Sequence, residues 1–466
     1  MTEIWALGVE ELVAAIRAGE LSAVEVVQAF AARAREVDVL VNCFIARDDG
    51  AMERAAARER ETGRRPLHGV PYAYKDVFVH QGATPTVGSR DVRLELGVRG
   101  ATVLDRLDDA GAISLGRLNL DPFAYTATGV NPDFGDVRNP WDPARIAGGS
   151  SGGAAAAVAS GAVPFAIATD TGGSIRIPAA LCGVTGLKPT LGRIPRTGAA
   201  PLSFSQDTVG ILARSAKDVA LVFEHAAGHD PEDAVSIPAP VPTFAELDAS
   251  CKGTRLGFDP DAFDRTTPEI ATAATLAIEA LTGLGAEPVE VDLSMLEAFD
   301  TVATVLTWAE ASAVHERTLS RDPGRYAPAI RARLELALAA HGADHVNAMR
   351  LQGRALTQLL DGPLAAADVL VAPTVAGPAV TIDSLQQDAV SVSVGHLRLN
   401  RPFSLTGVPA LSVPIGFDPA GMPLGLQFVA RPWAEQTLLA CAAAYQVETD
   451  WHRRLPPSSG ADRSRR

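Results

Sequence analysis

Lysine is scarce in this sequence. Only four of its 41 basic residues are lysine (Lys75, Lys188, Lys217 and Lys252) and the rest are arginine, so a lysine inside an apolar segment stands out. The four cysteines (Cys43, Cys182, Cys251, Cys441) lie far apart with no Cys-x-x-Cys pair. That excludes a disulfide frame or a cysteine zinc site and reads as reduced core residues. Positive charge is also in deficit, at net −14 over 466 residues. Without a basic face, nucleic acid is excluded as a main partner. There is no Gly-x-x-x-x-Gly-Lys-Ser/Thr loop and no His-Glu-x-x-His. Among nine histidines only His341 and His345 fall four apart on a predicted helix, without a supporting acid pattern, so neither metal nor other cofactor is expected. The start, Met1-Thr2-Glu3-Ile4-Trp5, has no basic n-region, and a cytoplasmic protein without signal peptide is expected. The uncharged run from Ala147 to Thr169 spans 23 residues, enough to cross a membrane. Its glycine pairs, Pro164, serines and few large apolar side chains argue against a span.

What is present is a soluble globular balance, with 47% hydrophobic and 21% charged residues. The uncharged run is bracketed by Gly148-Gly-Ser150-Ser151-Gly-Gly153 and Asp170-Thr171-Gly172-Gly173-Ser174-Ile-Arg176. Glycines this dense are expected where backbone approaches a ligand or takes positive φ. Serines inside such turns, with amides free to donate, suggest a nucleophile beside an oxyanion site. A tightly packed helix and strand joined by flexible turns explains the same composition, and composition alone does not choose.

Ser22 and Glu25 form a capping box opening a helix through Val26, Val27, Phe30 and Ala31. A charge-rich helix is predicted over 50–61. Leu67 to Val79 reads as a buried strand with Lys75 near its end. That lysine must snorkel, pair with a carboxylate such as Asp76, or sit buried with a depressed pKa, the form in which an amine becomes a base near pH 7. Further expectations are a helix over 100–107, strand 112–115, helix 154–159, strand 165–168 and helix 216–225. The proline-rich stretch Ile237–Thr243 is the clearest soft boundary. Beyond it, strand 255–258, helix 268–284 and strand 287–291 make a βαβ unit. Residues 293–364 are mostly helical, and strands are expected again at 368–372, 410–414 and 426–430.

Gly148-Gly-Ser-Ser-Gly152 fits the Gly-x-Ser-x-Gly nucleophile elbow, but an elbow follows a strand, and Asn139–Arg145 reads as loop. A Ser-His-Asp arrangement would also want a late histidine, and nothing marks His396. The chain instead resembles the amidase signature hydrolases. The resemblance covers Gly69-Val-Pro-Tyr-Ala-Tyr-Lys75-Asp, Arg138-Asn-Pro-Trp-Asp142, both glycine-serine turns and Gly183-Val-Thr-Gly-Leu-Lys-Pro-Thr190. It continues through Asp368–Thr374, Phe403–Leu411 and Gly425-Leu-Gln-Phe428.

The resemblance implies an α/β fold with a large mixed, mostly parallel twisted sheet sandwiched between helices. It implies one domain over 1–460, with the signature core at 63–220 and a C-terminal part at 244–460 that includes the helical substrate side, leaving 461–466 as disordered tail. It also implies Ser174 as nucleophile, Ser150 as bridging serine on a cis peptide and Lys75 as base. The amides of Thr171, Gly172, Gly173 and Ser174 would form the oxyanion hole, with Asp170, Arg176 and Ser151 in support. Tyr125, Thr126 and Trp308 are candidates for the substrate pocket.

Two departures bear on function. In Asn119-Leu-Asp-Pro-Phe-Ala-Tyr-Thr-Ala-Thr-Gly129, Pro122 replaces an acid and Tyr125-Thr126 replace Met-Gly of the family stretch. No Asp or Glu occurs from Ala389 through Phe417, where the tRNA-dependent amidotransferases carry a glutamine-binding carboxylate, and Ser404 stands where Asn is usual. The first expectation is therefore a stand-alone amidohydrolase cleaving a neutral, apolar or aryl carboxylic amide, or a related carbamate or anilide, through an acyl-enzyme on Ser174. The alternatives are the A subunit of a glutamyl-tRNA(Gln)/aspartyl-tRNA(Asn) amidotransferase and a non-catalytic binding protein of the same fold. The partner expected is a small-molecule amide, with no nucleic acid and no membrane. A homodimer stays open.

Overall fold

The computed structural model describes residues 3–97, 99–244 and 247–457; the tail expected at 461–466 lies outside the described residues. Eleven strands form one sheet: β1 (Phe44–Arg47), β2 (Pro71–Lys75), β3 (Ile113–Leu118), β4 (Phe165–Asp170), β5 (Thr185–Lys188), β6 (Thr208–Ala213), β7 (Arg255–Phe258), β8 (Glu287–Glu290), β9 (Val369–Pro373), β10 (Ala410–Phe417) and β11 (Pro423–Ala430). Their order is β1-β3-β2-β4-β6-β5-β10-β11-β9-β7-β8.

The mixed α/β sheet between helices is the fold class the sequence leads one to expect, with a smaller parallel share. The pairs β2–β3, β2–β4, β7–β8 and β7–β9 are parallel, whereas the run β4-β6-β5-β10-β11-β9 through the middle is antiparallel. Connectivity accounts for two of these five pairs. β5 leads to β6, and β10 to β11, without an intervening helix, and parallel neighbours need a long crossover. The predicted βαβ unit is present as β7, the helix Pro268–Gly283 and β8.

Local signals act as their chemistry dictates. Ser22 Oγ accepts the Glu25 amide, and the Glu25 carboxylate accepts the Ser22 amide, at the start of the helix Ala23–Val41. The uncharged run becomes the helix Gly152–Ala159 followed by β4, buried along both elements. A helix apolar on every side needs neighbours on every side, and this one packs against β2, β3, β4, β6 and the helix Arg176–Cys182. Among the described residues no helix is long and apolar enough to cross a membrane. The helices Leu296–Arg321 and Gly342–Asp361 share a second apolar cluster with Phe403, through Phe299, Leu306 and Leu359. The helix Pro328–Ala337 lies between them in sequence.

Candidate active site

Strands β2 and β4 are parallel neighbours, with Ala73 opposite Ala166 and Tyr74 opposite Ile167. Their carboxyl ends therefore open on the same edge, where open α/β sheets bind ligands. β2 delivers Lys75 there and β4 delivers Asp170, from which the turn 171–175 enters the helix Arg176–Cys182.

Lys75 is fully buried. Its Nζ donates to Ser150 Oγ at 2.7 Å and to Thr169 Oγ1 at 3.1 Å. The pairing with Asp76 left open by the sequence does not form. Asp76 instead accepts from Arg117 at 3.2 Å. Burial pulls Lys75 down to about 7, against the pull of Asp121, Asp170 and Asp207 in the opposite direction.

The Gly149–Ser150 peptide is cis. Asp121 lies against it. The Asp121 amide donates to Ser150 O at 3.2 Å, and a Cβ on Gly149 would run into the Asp121 carboxylate, which accounts for a glycine at that position. That carboxylate, also fully buried, accepts from Thr126 Oγ1 at 2.5 Å, Thr128 N at 2.9 Å and Gly129 N at 2.8 Å. Ser151 joins the two serine turns: its amide donates to Ser174 O at 3.1 Å and its hydroxyl to Thr169 O at 3.2 Å. Among the described residues no hydrogen bond links Ser150 Oγ to Ser174 Oγ in this resting geometry.

The turn carrying Ser174 is organised by Asp170 and Arg176, both fully buried. The Asp170 carboxylate accepts Gly173 N at 2.7 Å, Ile175 N at 3.2 Å and the Arg176 guanidinium at 2.9 and 3.0 Å. Burial pushes this carboxyl up, but the guanidinium outweighs it and holds Asp170 at about 2. The Gly173 bond bears on the oxyanion-hole expectation. Of the four amides expected there, that of Gly173 is engaged by a carboxylate, and no hydrogen bond among the described residues engages those of Thr171, Gly172 and Ser174. Thr171 is fixed through its side chain, Oγ1 donating to Asp207 at 2.6 Å.

The three pocket candidates divide. Thr126 reaches the Ser150 turn through Asp121, as above. Tyr125 is buried with its ring under the Arg333 guanidinium, 4.6 Å from ring centroid to Cζ. Trp308 is half-buried on the helix Leu296–Arg321, and among the described residues no hydrogen bond or ring contact joins it to the serine turns. Several neighbours escaped the sequence reading: Thr169, Asp121, Asp207, Arg333 and Arg401. Arg401 lays its stem on Gly172 and pairs with Asp300 at 2.7 Å, while Arg333 keeps a buried Nε without a partner among the described residues. Asp121 stands within a signature segment, but only burial distinguishes it from a turn aspartate. A cavity of about 350 Å3 reaches Thr169 and Asp207 from the side of Ala199, Ala200 and Phe204. A larger one, about 720 Å3, borders Asp300 and Arg398 but neither serine turn.

Comparison with known proteins gives this geometry its family. The amidase family model matches residues 25–439. The A subunit of glutamyl-tRNA(Gln) amidotransferase from Chloroflexus aurantiacus is 37% identical over 485 residues, 98% of this chain and 99% of that one. Among solved structures, a chain from a vestigial protein complex bearing on the origins of an s-triazine catabolic enzyme superposes with a TM-score of 0.88 at 33% identity, covering 95% of this chain and 98% of the other. The A subunit of glutamyl-tRNA(Gln) amidotransferase from Thermotoga maritima superposes with a TM-score of 0.85 at 27% identity, covering 99% of both. The chain belongs to the amidase signature family.

Proposed function

We propose that this protein cleaves the C–N bond of a carboxamide through an acyl-enzyme on Ser174. The observation that carries the reading is the 2.7 Å contact between the buried Lys75 amine and Ser150 Oγ, in a setting that draws the amine to about 7. A neutral amine accepts a proton, a serine hydroxyl can relay one, and no histidine is needed. Ser174 Oγ attacks the carbonyl carbon while its proton passes by way of Ser150 toward Lys75. The oxyanion then meets the amides of Thr171, Gly172 and Ser174, donors of a kind each worth roughly 3 kcal/mol. Collapse breaks the C–N bond, the leaving nitrogen takes the proton back along the relay, and water hydrolyses the ester. The serine–serine leg closes only with substrate bound, as catalytic hydrogen bonds in free enzymes commonly do.

Where the sequence leads one to expect a neutral amide, one flank of the site favours a substrate that carries an anionic group. Arg333 lies over Tyr125 with its Nε without a hydrogen-bond partner among the described residues, whereas the charge of Arg401, whose stem rests on Gly172, is met by Asp300. The Arg333 guanidinium suits a carboxylate.

Two settings share this chemistry. Identity of 37% over nearly the full length of an amidotransferase's A subunit supports a role within such an assembly. Pro122 and the lack of any Asp or Glu from Ala389 through Phe417 support a free-standing hydrolase. Turnover of small amides by the purified single chain, without tRNA or a second protein, decides for the hydrolase; turnover that appears only with a partner decides for the assembly. Loss of fluorophosphonate labelling in Ser174→Ala separates both from a non-catalytic homologue.

A further inference from the structure

A cluster of buried side chains beside the nucleophile turn is left with polar atoms that no group among the described residues satisfies. They are Thr374 Oγ1, Ser393 Oγ, Asn400 Oδ1 and both ring nitrogens of His396. Thr374 and Asn400 are fully buried, Ser393 is 1% exposed and His396 5%. Buried polar groups in folded proteins are satisfied in roughly nine cases in ten or more. Five such atoms in one neighbourhood therefore point to a missing partner.

Asn400 ties the backbone of this neighbourhood together. Asn400 Nδ2 donates to Thr374 O at 2.7 Å and to His396 O at 2.9 Å. Ser393 and His396 stand three apart on the helix Leu385–Leu397, hence on one face of it. The cluster abuts the chemistry. A Cβ on Gly173, which sits at φ +122°, would lie 2.7 Å from Asn400 Cβ and 2.9 Å from Cγ, and one on Gly172 would lie 3.3 Å from Leu397 Cδ2. The Arg176 guanidinium that organises the nucleophile turn donates to Asn400 O at 3.2 Å.

We infer that Thr374, Ser393, His396 and Asn400 form a hydrogen-bonding subsite beside the nucleophile turn that receives an uncharged donor-and-acceptor group of the substrate, a carboxamide or ureido group. The chemistry of the set selects that class. Two hydroxyls donate or accept, the Asn400 carbonyl accepts only, and a neutral imidazole offers one donor and one acceptor. Burial pulls His396 down to about 4, so the ring is neutral at ordinary pH and does not attract an anion. An ammonium group finds no free carboxylate here, since Asp300 is committed to Arg401 and Asp170 to Arg176. An apolar group would leave all five atoms unsatisfied, which buried sites reject strongly.

This subsite rests on the reading of Ser174 as nucleophile, and the experiment separates the two. The probes are the para-nitroanilides of succinamic acid, of isocaproic acid (which replaces the carboxamide by an isopropyl group of like shape) and of γ-aminobutyric acid. The expected result is a preference for the succinamic over the isocaproic anilide in kcat/KM of about tenfold or more, the size of one buried hydrogen-bonding group left unpaired. That preference should collapse in His396→Leu and in Ser393→Ala, with fluorophosphonate labelling of Ser174 retained. Ser393→Ala removes a single oxygen and guards against a variant that misfolds. Equal rates on the two anilides in the wild type, or a preference untouched in both variants, mean that water alone fills the cluster and overturn the inference, as does a preference for the γ-aminobutyric anilide. Should Ser174 neither label nor turn over any anilide, the nucleophile reading fails. Calorimetric binding of succinamide to Ser174→Ala, weakened or not by Ser393→Ala, then decides the subsite by itself.

Discussion

Lys75 and Lys188 are both fully buried and both drawn down to about 7 by burial, yet their amines meet opposite surroundings. Lys75 Nζ faces two hydroxyls, whereas Lys188 Nζ donates to the carbonyls of Val408 at 2.6 Å and Pro189 at 3.1 Å. A depressed lysine is available as a base only where a proton can reach it. A carbonyl carries none to give, and a serine hydroxyl does.

Lys75→Ala should lower the acylation rate by about 100- to 10,000-fold, the range of one general base, with circular dichroism and melting behaviour of a folded protein. Lys188→Ala should lower the melting temperature while leaving kcat/KM within about tenfold. Equal kinetic losses in the two variants would remove the distinction between them.

The pH dependence follows from the same amine. Its neutral form grows as pH rises through about 7, so kcat/KM should climb along a single limb centred there and level off above it. Lys188→Ala should not move that limb. A limb near 10, the range of an unperturbed lysine at about 10.4, would rule out Lys75 as the base.

Removing the partner of Asp170 should be costly. Arg176→Ala leaves a fully buried carboxylate without its cation, a change worth about 3–5 kcal/mol of stability, and loosens the turn that carries Ser174. The folded-state pKa of Asp170 is depressed to about 2. Its contribution is therefore complete above the unfolded value of about 3.9 and lost as pH falls toward 2. Acid titration of the melting temperature should show this loss in the wild type, and a shallower slope over that window in Arg176→Ala.

Gly149→Ala should displace the Asp121 carboxylate from the Ser150 turn. The expected outcome is slower labelling of Ser174 by a fluorophosphonate together with a lowered melting temperature. Gly63→Ala, where nothing among the described residues lies within 4 Å of the added carbon, should change neither.

Arg333→Ala should raise KM for an amide bearing a free carboxylate about tenfold or more, within the roughly 1.5–3 kcal/mol typical of hydrogen bonds to charged groups. Its effect on the matched methyl ester should be small. An equal effect on both would show that Arg333 acts through packing on Tyr125 alone.

How much of this is readable in the chain differs from element to element. The helix at Ala23 announces itself through Ser22 and Glu25, and the βαβ unit at 255–290 through its alternation of apolar segments. Short strands are silent. β5 reads Thr-Gly-Leu-Lys, and in β6 Gly210 interrupts the β-branched Thr208, Val209 and Ile211 that would mark a strand. Their glycines serve close approach instead: Gly186 lies against Ile175 and Ala179, and Gly210 against the backbone of Leu187. Lys75, Ser150 and Ser174 are legible because motif and spacing survive in one dimension. Asp121, Arg333 and His396 are not. What sets them apart is burial and the loss or gain of a partner, and these arise only when segments far apart in sequence close on one another.

The reach of Arg176 carries one more implication. Its guanidinium ties the turn that carries Ser174 to Asn400 O, Ser404 Oγ at 2.9 Å and Gln427 Oε1 at 3.0 Å, groups synthesised more than two hundred residues later. A chain still emerging from the ribosome cannot complete that clasp until β11 has left the exit tunnel. On the proposed mechanism Ser174 is thus armed last, and an incomplete polypeptide, or one clipped ahead of Gln427, should carry the signature residues without the means to use them.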